Sequence, residues 1–139
     1  QRLQFQGIDM DNILVPVSPG EVLDKITILE IKAERMDDPV KVANVKVELA
    51  LLEETWARSV TSDPVIKDLH DQLKQINEAL WEIEDDIRDK ERAKEFDQQF
   101  IELARKVYFT NDRRSDVKKK LNLHLGSQII EEKSYQDYS

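Results

Sequence analysis

Residues 64–88 read PVIKDLHDQLKQINEALWEIEDDIR, and this stretch decides the fold. Apolar residues recur in it at alternating spacings of three and four, which is the period of one face of an α-helix. The face persists for about three heptads, so it predicts a long helix that packs along its length. The pattern leaves open whether this seam faces the first and second helices of the same chain or a second copy. The seam residues are Ile66, Leu69, Leu73, Ile76, Leu80, Ile83 and Ile87.

A capping residue followed by proline marks the start of this helix and of two helices before it. The cap accepts a hydrogen bond from a free backbone N–H, and proline at the first helical position has no N–H to leave unpaired. We expect the first helix to end near Met36 and the second near Val60. Glu21 completes a predicted capping box at the first helix. The three cap pairs are Ser18-Pro19, Asp38-Pro39 and Asp63-Pro64.

The chain beyond residue 95 predicts further helices. A stripe from Phe96 to Val107 has helical spacing, and its helix either begins at Asp97 or continues the preceding one. We expect a break at residues 110–112 and a shorter fifth helix that ends at Gly126, a favourable residue just after a helix. With short connections, the sequence predicts an all-α antiparallel bundle of four to five helices, preceded by a short extended lead-in.

The composition is typical of one soluble domain. Hydrophobic residues make up 40% and charged residues 36% of the 139 residues, too apolar for a disordered chain and too charged for a membrane protein. No apolar run is long enough to cross a bilayer, and we expect a cytoplasmic protein. The absence of cysteine excludes disulfides and thiolate metal sites. An isoelectric point near 4.8 argues against nucleic-acid binding, and we expect neither cofactor nor metal.

The first residues are expected to be foreign to the domain. Gln4-Phe5-Gln6-Gly7 resembles the end of a viral-protease recognition site of the kind placed after purification tags. Residues 1–9 are then an expression-tag remnant, and Met10 starts the native chain. Residues 10–139 are expected to form a single helical domain of ordinary size.

A basic cluster lies between residues 105 and 120 of this acidic chain. It holds seven basic and two acidic residues, a net charge of +5 against −13 for the rest. Arginine forks bind phosphate or carboxylate at two points, which predicts a site for an anionic ligand. Pairing of these cations with acidic residues of neighbouring helices is the more common outcome. The candidate ligand-binding residues are Arg105, Tyr108, Asn111, Arg113, Arg114 and Lys118.

A second stripe of residues runs beside the seam. Trp81 lies off the seam positions, yet it is too large to be left in water without a reason. It either covers an edge of the core or anchors a protein partner, a role in which tryptophan and arginine are favoured. The candidate partner interface consists of Asn77, Trp81, Glu84 and Arg88.

The acidic residues around Trp81 raise the possibility of a helical nucleoside-triphosphate pyrophosphohydrolase, in which paired carboxylates hold magnesium. Such a site needs two acidic pairs that face one cavity. Glu82 and Asp85 have the spacing of one pair, but no second pair follows on a buried face. We therefore expect a solvated run of charge, with Glu84 and Arg88 as a simple i,i+4 pair. The sequence contains no nucleophile triad, phosphate-binding loop or dinucleotide motif.

Four strings give the chain a family resemblance. They are SPGEVLDKITILEIK at 18–32, LWEIEDDIR at 80–88, LARKVYFTNDRR at 103–114 and EEKSY at 131–135. The chain resembles a family of short bacterial proteins of unknown function over residues 13–138. The resemblance implies no activity and no catalytic residue, and it implies a link of some members with cell-surface sugar biosynthesis.

Two functions are consistent with these features. The first is a helical protein–protein interaction or assembly module, acting as a homo-oligomer or with another protein. The second is a binding protein or enzyme for a phosphorylated small molecule, a nucleotide or sugar phosphate, at the basic cluster. The absence of a catalytic set of residues favours the first, and whether the protein is an enzyme stays open.

Overall fold

The structure, a computed structural model, describes residues 12–138. The proposed tag remnant at residues 1–9 and the proposed start at Met10 lie outside the described residues. The elements are α1 (Pro19–Arg35), α2 (Pro39–Ser59), α3 (Pro64–Ala93) and α4 (Gln98–His124). The predicted all-α bundle is confirmed, with a helix number inside the predicted range. Each helix within residues 12–138 is too short or too polar to cross a lipid bilayer.

Side-chain caps begin all four helices, three of them at the predicted residues. The predicted capping box of α1 is half formed. The N–H of Glu21 donates to Oγ of Ser18 at 3.2 Å, whereas the Glu21 carboxylate accepts from Nζ of Lys118 on α4 at 2.8 Å. Of the two starts considered for α4, the structure has the one at Asp97. The caps are Ser18, Asp38, Asp63 and Asp97.

The ends of α3 and α4 correct one prediction and confirm another. Lys94, with φ 56°, turns the chain out of α3. The predicted break at residues 110–112 is wrong, and so is the separate fifth helix, because α4 runs unbroken to His124. Buried Thr110 lies on the face of α4 that packs into the bundle, and this packing outweighs the low helix propensity of Thr, Asn and Asp. Gly126, with φ 65°, follows the helix end as predicted.

The core lies where α1, α3 and α4 meet. The α3 seam packs on α1 and α4 of the same chain, whereas the pattern suggests the first and second helices or a second copy. Five of its seven residues are buried, and Leu73 of α3 and Leu121 of α4 are both 0% exposed. The core cluster consists of Leu23, Ile66, Leu69, Leu73, Ile76, Val117 and Leu121.

Two segments lie outside this core. The helix α2 packs against α1 and has no buried residue, although Trp56 and the following Val60 reach the core cluster. The last residues, 127–138, have no regular secondary structure and lie along α4. Ion pairs hold them there, with Lys118–Glu131 at 3.2 Å and Lys133–Asp112 at 3.1 Å. The C-terminal tail is therefore docked on the bundle.

Candidate functional site: a cleft above a buried ion pair

A close approach of α1 and α4 positions the site. The N–H of Gly20 donates to Oδ1 of buried Asn122 at 2.7 Å. A Cβ atom at position 20 would lie 2.6 Å from the backbone oxygen of Lys118, a distance at which something must shift. Glycine therefore allows the first turn of α1 to rest on α4. One turn further along, Asp24 faces the same helix.

An ion pair between Asp24 and Arg114 joins α1 to α4. Asp24 is 2% exposed. Arg114 donates from Nε to Oδ1 of Asp24 at 2.8 Å and from Nη2 to Oδ2 at 2.5 Å, a two-point contact. The hydrogen bonds that Arg114 donates to the Asp24 carboxylate raise the pKa of Arg114, against the opposing effect of burial. The guanidinium of Arg114 is therefore charged in the folded protein.

A polar network completes the surroundings of Asp24. Nδ2 of Asn77 on α3 donates to Oδ1 of Asp24 and to Oγ1 of Thr27, both at 2.9 Å. Thr27 in turn donates to the backbone oxygen of Asp24 at 2.7 Å. Throughout residues 12–138, no buried side-chain nitrogen or oxygen lacks a hydrogen-bond partner. The network ties three helices together and holds the guanidinium of Arg114 in one orientation.

A cleft of about 400 Å³ opens beside Arg114. The aliphatic residues Ile28, Ile31 and Leu80 and the half-buried Trp81 form its apolar wall. All four residues of the predicted partner interface line this cleft, together with two of the predicted ligand-binding residues. The two candidate sites, which the sequence places apart, therefore share one cleft. Its polar lining consists of Asn77, Glu84, Asp85, Arg88, Asn111 and Arg114.

Both arginines of this cleft are paired within the protein. Arg114 is bound to Asp24 and donates from Nη1 to Oδ1 of Asn111 at 3.4 Å. Arg88 forms the predicted i,i+4 ion pair with Glu84. The cleft consequently combines an apolar wall with two arginines that are already paired, which is a setting for a partly apolar group more than for a free anion.

A neighbouring cleft of about 500 Å³ lies between α4 and the tail. Tyr108 and Lys118 line it, and Asn111 and Arg114 line both clefts. The ammonium of Lys118 lies 2.8 Å from Glu21 and 3.2 Å from Glu131. Burial lowers the pKa of Lys118, but the hydrogen bonds to these carboxylates outweigh it and the pKa is raised. The cation is thus held by α1 and the tail.

The two remaining candidates lie elsewhere. Arg113 faces away from Arg114, in a shallow depression beside Gln72 and Gln75 of α3, because successive helical residues point about 100° apart. The guanidinium carbon of Arg105 lies 5.7 Å from the ring centre of Phe109. The structure therefore divides the predicted basic cluster among three surfaces of α4.

Sequence reasoning missed the residues beneath the cleft, which are Gly20, Asp24, Thr27 and Asn122. A usable signal existed, since Asp24 and Thr27 interrupt the apolar face of α1 with polar side chains. Glu82, Asp85 and Asp89 are exposed, as predicted for a solvated run of charge. Within residues 12–138 there is no group of three or more histidine, aspartate or glutamate side chains placed to hold a metal ion.

Comparison with known proteins gives one match. A family model covers residues 13–138, and its description is Family of unknown function (DUF6165). The resemblance drawn from the four strings is thereby confirmed at the level of an uncharacterised family. Neither the curated proteins nor the solved structures contain a match.

Proposed function

Because the chain belongs to this family of unknown function, we propose its role from the fold: it is a helical assembly module that binds another protein chain through α2. The proposal places this assembly in the cytoplasm of a bacterial cell. It keeps the first of the two functions considered from the sequence and moves the contact from the Trp81 stripe to α2.

The observation that carries the proposal is the exposure of apolar side chains on α2. Val40 is 71%, Val47 65% and Leu51 47% exposed, on the face opposite α1. This helix has 21 residues and none of them is buried. A helix that keeps one apolar stripe on its own bundle and turns a second one outward supports docking of a partner helix on the second.

Photo-crosslinking in living bacterial cells tests this proposal. A photoreactive amino acid at Leu51 should give a protein adduct, and the same group at Val65 should not, although both residues are 47% exposed. Introducing Val47→Glu into the Leu51 variant should remove the adduct while circular dichroism remains unchanged. Equal adduct formation at the two positions would contradict a binding face on α2.

A second candidate function rests on the Trp81 cleft. Its size, about 400 Å³, suits a small ligand. A phosphorylated small molecule would have to displace Glu84 from Arg88, because Arg114 is already bound to Asp24. A ligand at about one hundred times its dissociation constant adds roughly 2.7 kcal/mol to stability. A thermal-shift screen of nucleotides and sugar phosphates should therefore give a clear rise in Tm that Arg88→Ala abolishes, and a flat screen would leave the assembly module alone.

A further inference from the structure

The outward face of α2 has the repeat of a helix-pairing seam. Its residues alternate four and three apart, as positions in a heptad do. Three alanines, each seven residues from the next, run along one flank of the seam. Every one of these side chains is exposed. The seam consists of Val40, Asn44, Val47, Leu51, Glu54 and Arg58, and the flank of Ala43, Ala50 and Ala57.

We infer that the partner of this face is a second copy of the chain, whose α2 packs antiparallel to the first about a two-fold axis beside Ala50. The inference rests on the proposed function and names its partner. In a two-fold contact, if one residue meets a second, the second meets the first across the axis. The face must therefore be complementary to itself, and this property can be checked along the helix.

The antiparallel register pairs the seam residues with complementary ones. Val47 lies opposite the partner's Leu51, and by symmetry Leu51 lies opposite the partner's Val47. The centre of the contact is therefore apolar on both sides of the axis. One step outward, the Asn44 amide meets the carboxylate of the partner's Glu54 and can donate to it. At the ends, the aliphatic stem of Arg58 covers the partner's Val40, and its guanidinium comes near the exposed carboxylate of the partner's Asp37.

The parallel arrangement lacks this complementarity. It would set Glu54 against the partner's Glu54 and Arg58 against the partner's Arg58, and like charges at such positions are destabilising. The antiparallel arrangement also opposes the two helix dipoles. The alanine flank permits a short distance between the helix axes, near the lower end of the usual range of about 8–10 Å. On the other flank Glu48 approaches its own copy, and Lys25 of α1 neutralises it at 2.9 Å.

Single cysteines test the register directly, because the 139-residue chain has no cysteine. In purified full-length protein, Ala50→Cys should form a disulfide-linked dimer on mild oxidation, since position 50 meets its own copy. Ala43→Cys alone should not, because its two copies lie 14 residues apart along the axis, roughly 21 Å. An equimolar mixture of Ala43→Cys and Ala57→Cys should cross-link, although neither does so alone. Cross-linking of Ala43→Cys as readily as Ala50→Cys would overturn the register.

Sedimentation equilibrium separates the failure of this inference from the failure of the proposed function. The wild-type protein should be a concentration-dependent dimer, and Leu51→Glu should weaken the dimer at least tenfold while leaving the helical signal unchanged. A wild-type monomer at all concentrations, with the in-cell adduct at position 51 retained, would overturn the second copy and leave the assembly function in place. If no adduct formed at position 51 while the dimer persisted, the dimer contact would lie elsewhere. That result would contradict both the α2 dimer and the proposed function.

Discussion

A buried carboxylate, Asp24, is bonded to side chains from two other helices of the bundle. Asp24 is 2% exposed, and its carboxylate accepts hydrogen bonds from Arg114 and Asn77. Such pairs add little net stability compared with apolar packing, but removing one partner leaves a charge without compensation. We expect Arg114→Leu to lower the free energy of unfolding by about 3 kcal/mol in urea denaturation. Adding Asp24→Asn should recover part of that loss, whereas an unchanged midpoint for Arg114→Leu would mean that Asn77 alone satisfies the carboxylate.

His70 gives the stability a dependence on pH. Its Nε2 lies 2.8 Å from Glu30 of α1, and this hydrogen bond raises the pKa of His70 above its ordinary value of 6.5, against the effect of burial. Folding favours the protonated form of His70. The contribution of the His70–Glu30 pair to stability is therefore fully present below about pH 6.5 and is lost as the pH rises through the raised pKa of His70. The stability difference between wild type and His70→Gln, measured in urea from acid to alkaline pH, should shrink across that window. A difference independent of pH would contradict a charged His70–Glu30 pair.

Two glycines, one in the first turn of α1 and one just after the end of α4, separate packing from backbone effects. Gly20→Ala would bring a Cβ atom to 2.6 Å from a backbone oxygen of α4, and overpacking of this kind costs about 1–3 kcal/mol. Gly126→Ala meets nothing within 4 Å, so only its φ of 65° opposes the change, by about 1 kcal/mol. Chemical denaturation should rank Gly20→Ala as the more damaging variant. Gly126→Asn should be milder than Gly126→Ala, because asparagine tolerates this conformation.

Elements whose pattern is local could be predicted from the sequence. The seam of α3 and its cap at Asp63 predict where the helix begins and which face it buries, because both depend on neighbours within a few residues. The residues 110–112 were a poor guide, since weak local propensity there is outweighed by contacts with distant helices. The same limit applies to the cleft. Arg114 could be singled out as a candidate, but its pairing with Asp24, 90 residues away, leaves no trace in local spacing.

Charge is distributed unevenly over the molecule, and ion pairs between basic residues of α4 and acidic residues of the tail hold the tail on the bundle. The ion pairs of Lys118 with Glu131 and of Lys119 with Glu132 lie at a surface where each is worth about 0–1 kcal/mol. At about 1 M salt the screening length falls to about 3 Å. Chymotrypsin should then cleave after Tyr135 several-fold faster than at low salt, relative to a free peptide of residues 127–138. The ring of Tyr138 also packs on Tyr108 and Phe109, and a salt-independent ratio would mean that these aromatic contacts hold the tail.

The position of α1 at the centre of the bundle has a consequence for synthesis. Its contacts with α4 close loops of 90 and 102 residues. A ribosome adds about 5–20 residues per second, so roughly 5–20 s pass between the synthesis of Gly20 and that of Asn122. During that interval the apolar face of α1 can pack only on α2 and then on α3. The carboxylate of Asp24 stays hydrated until Arg114 has been synthesised. The nascent chain therefore spends most of its synthesis with an unfinished core, the period in which chaperones and aggregation compete for it.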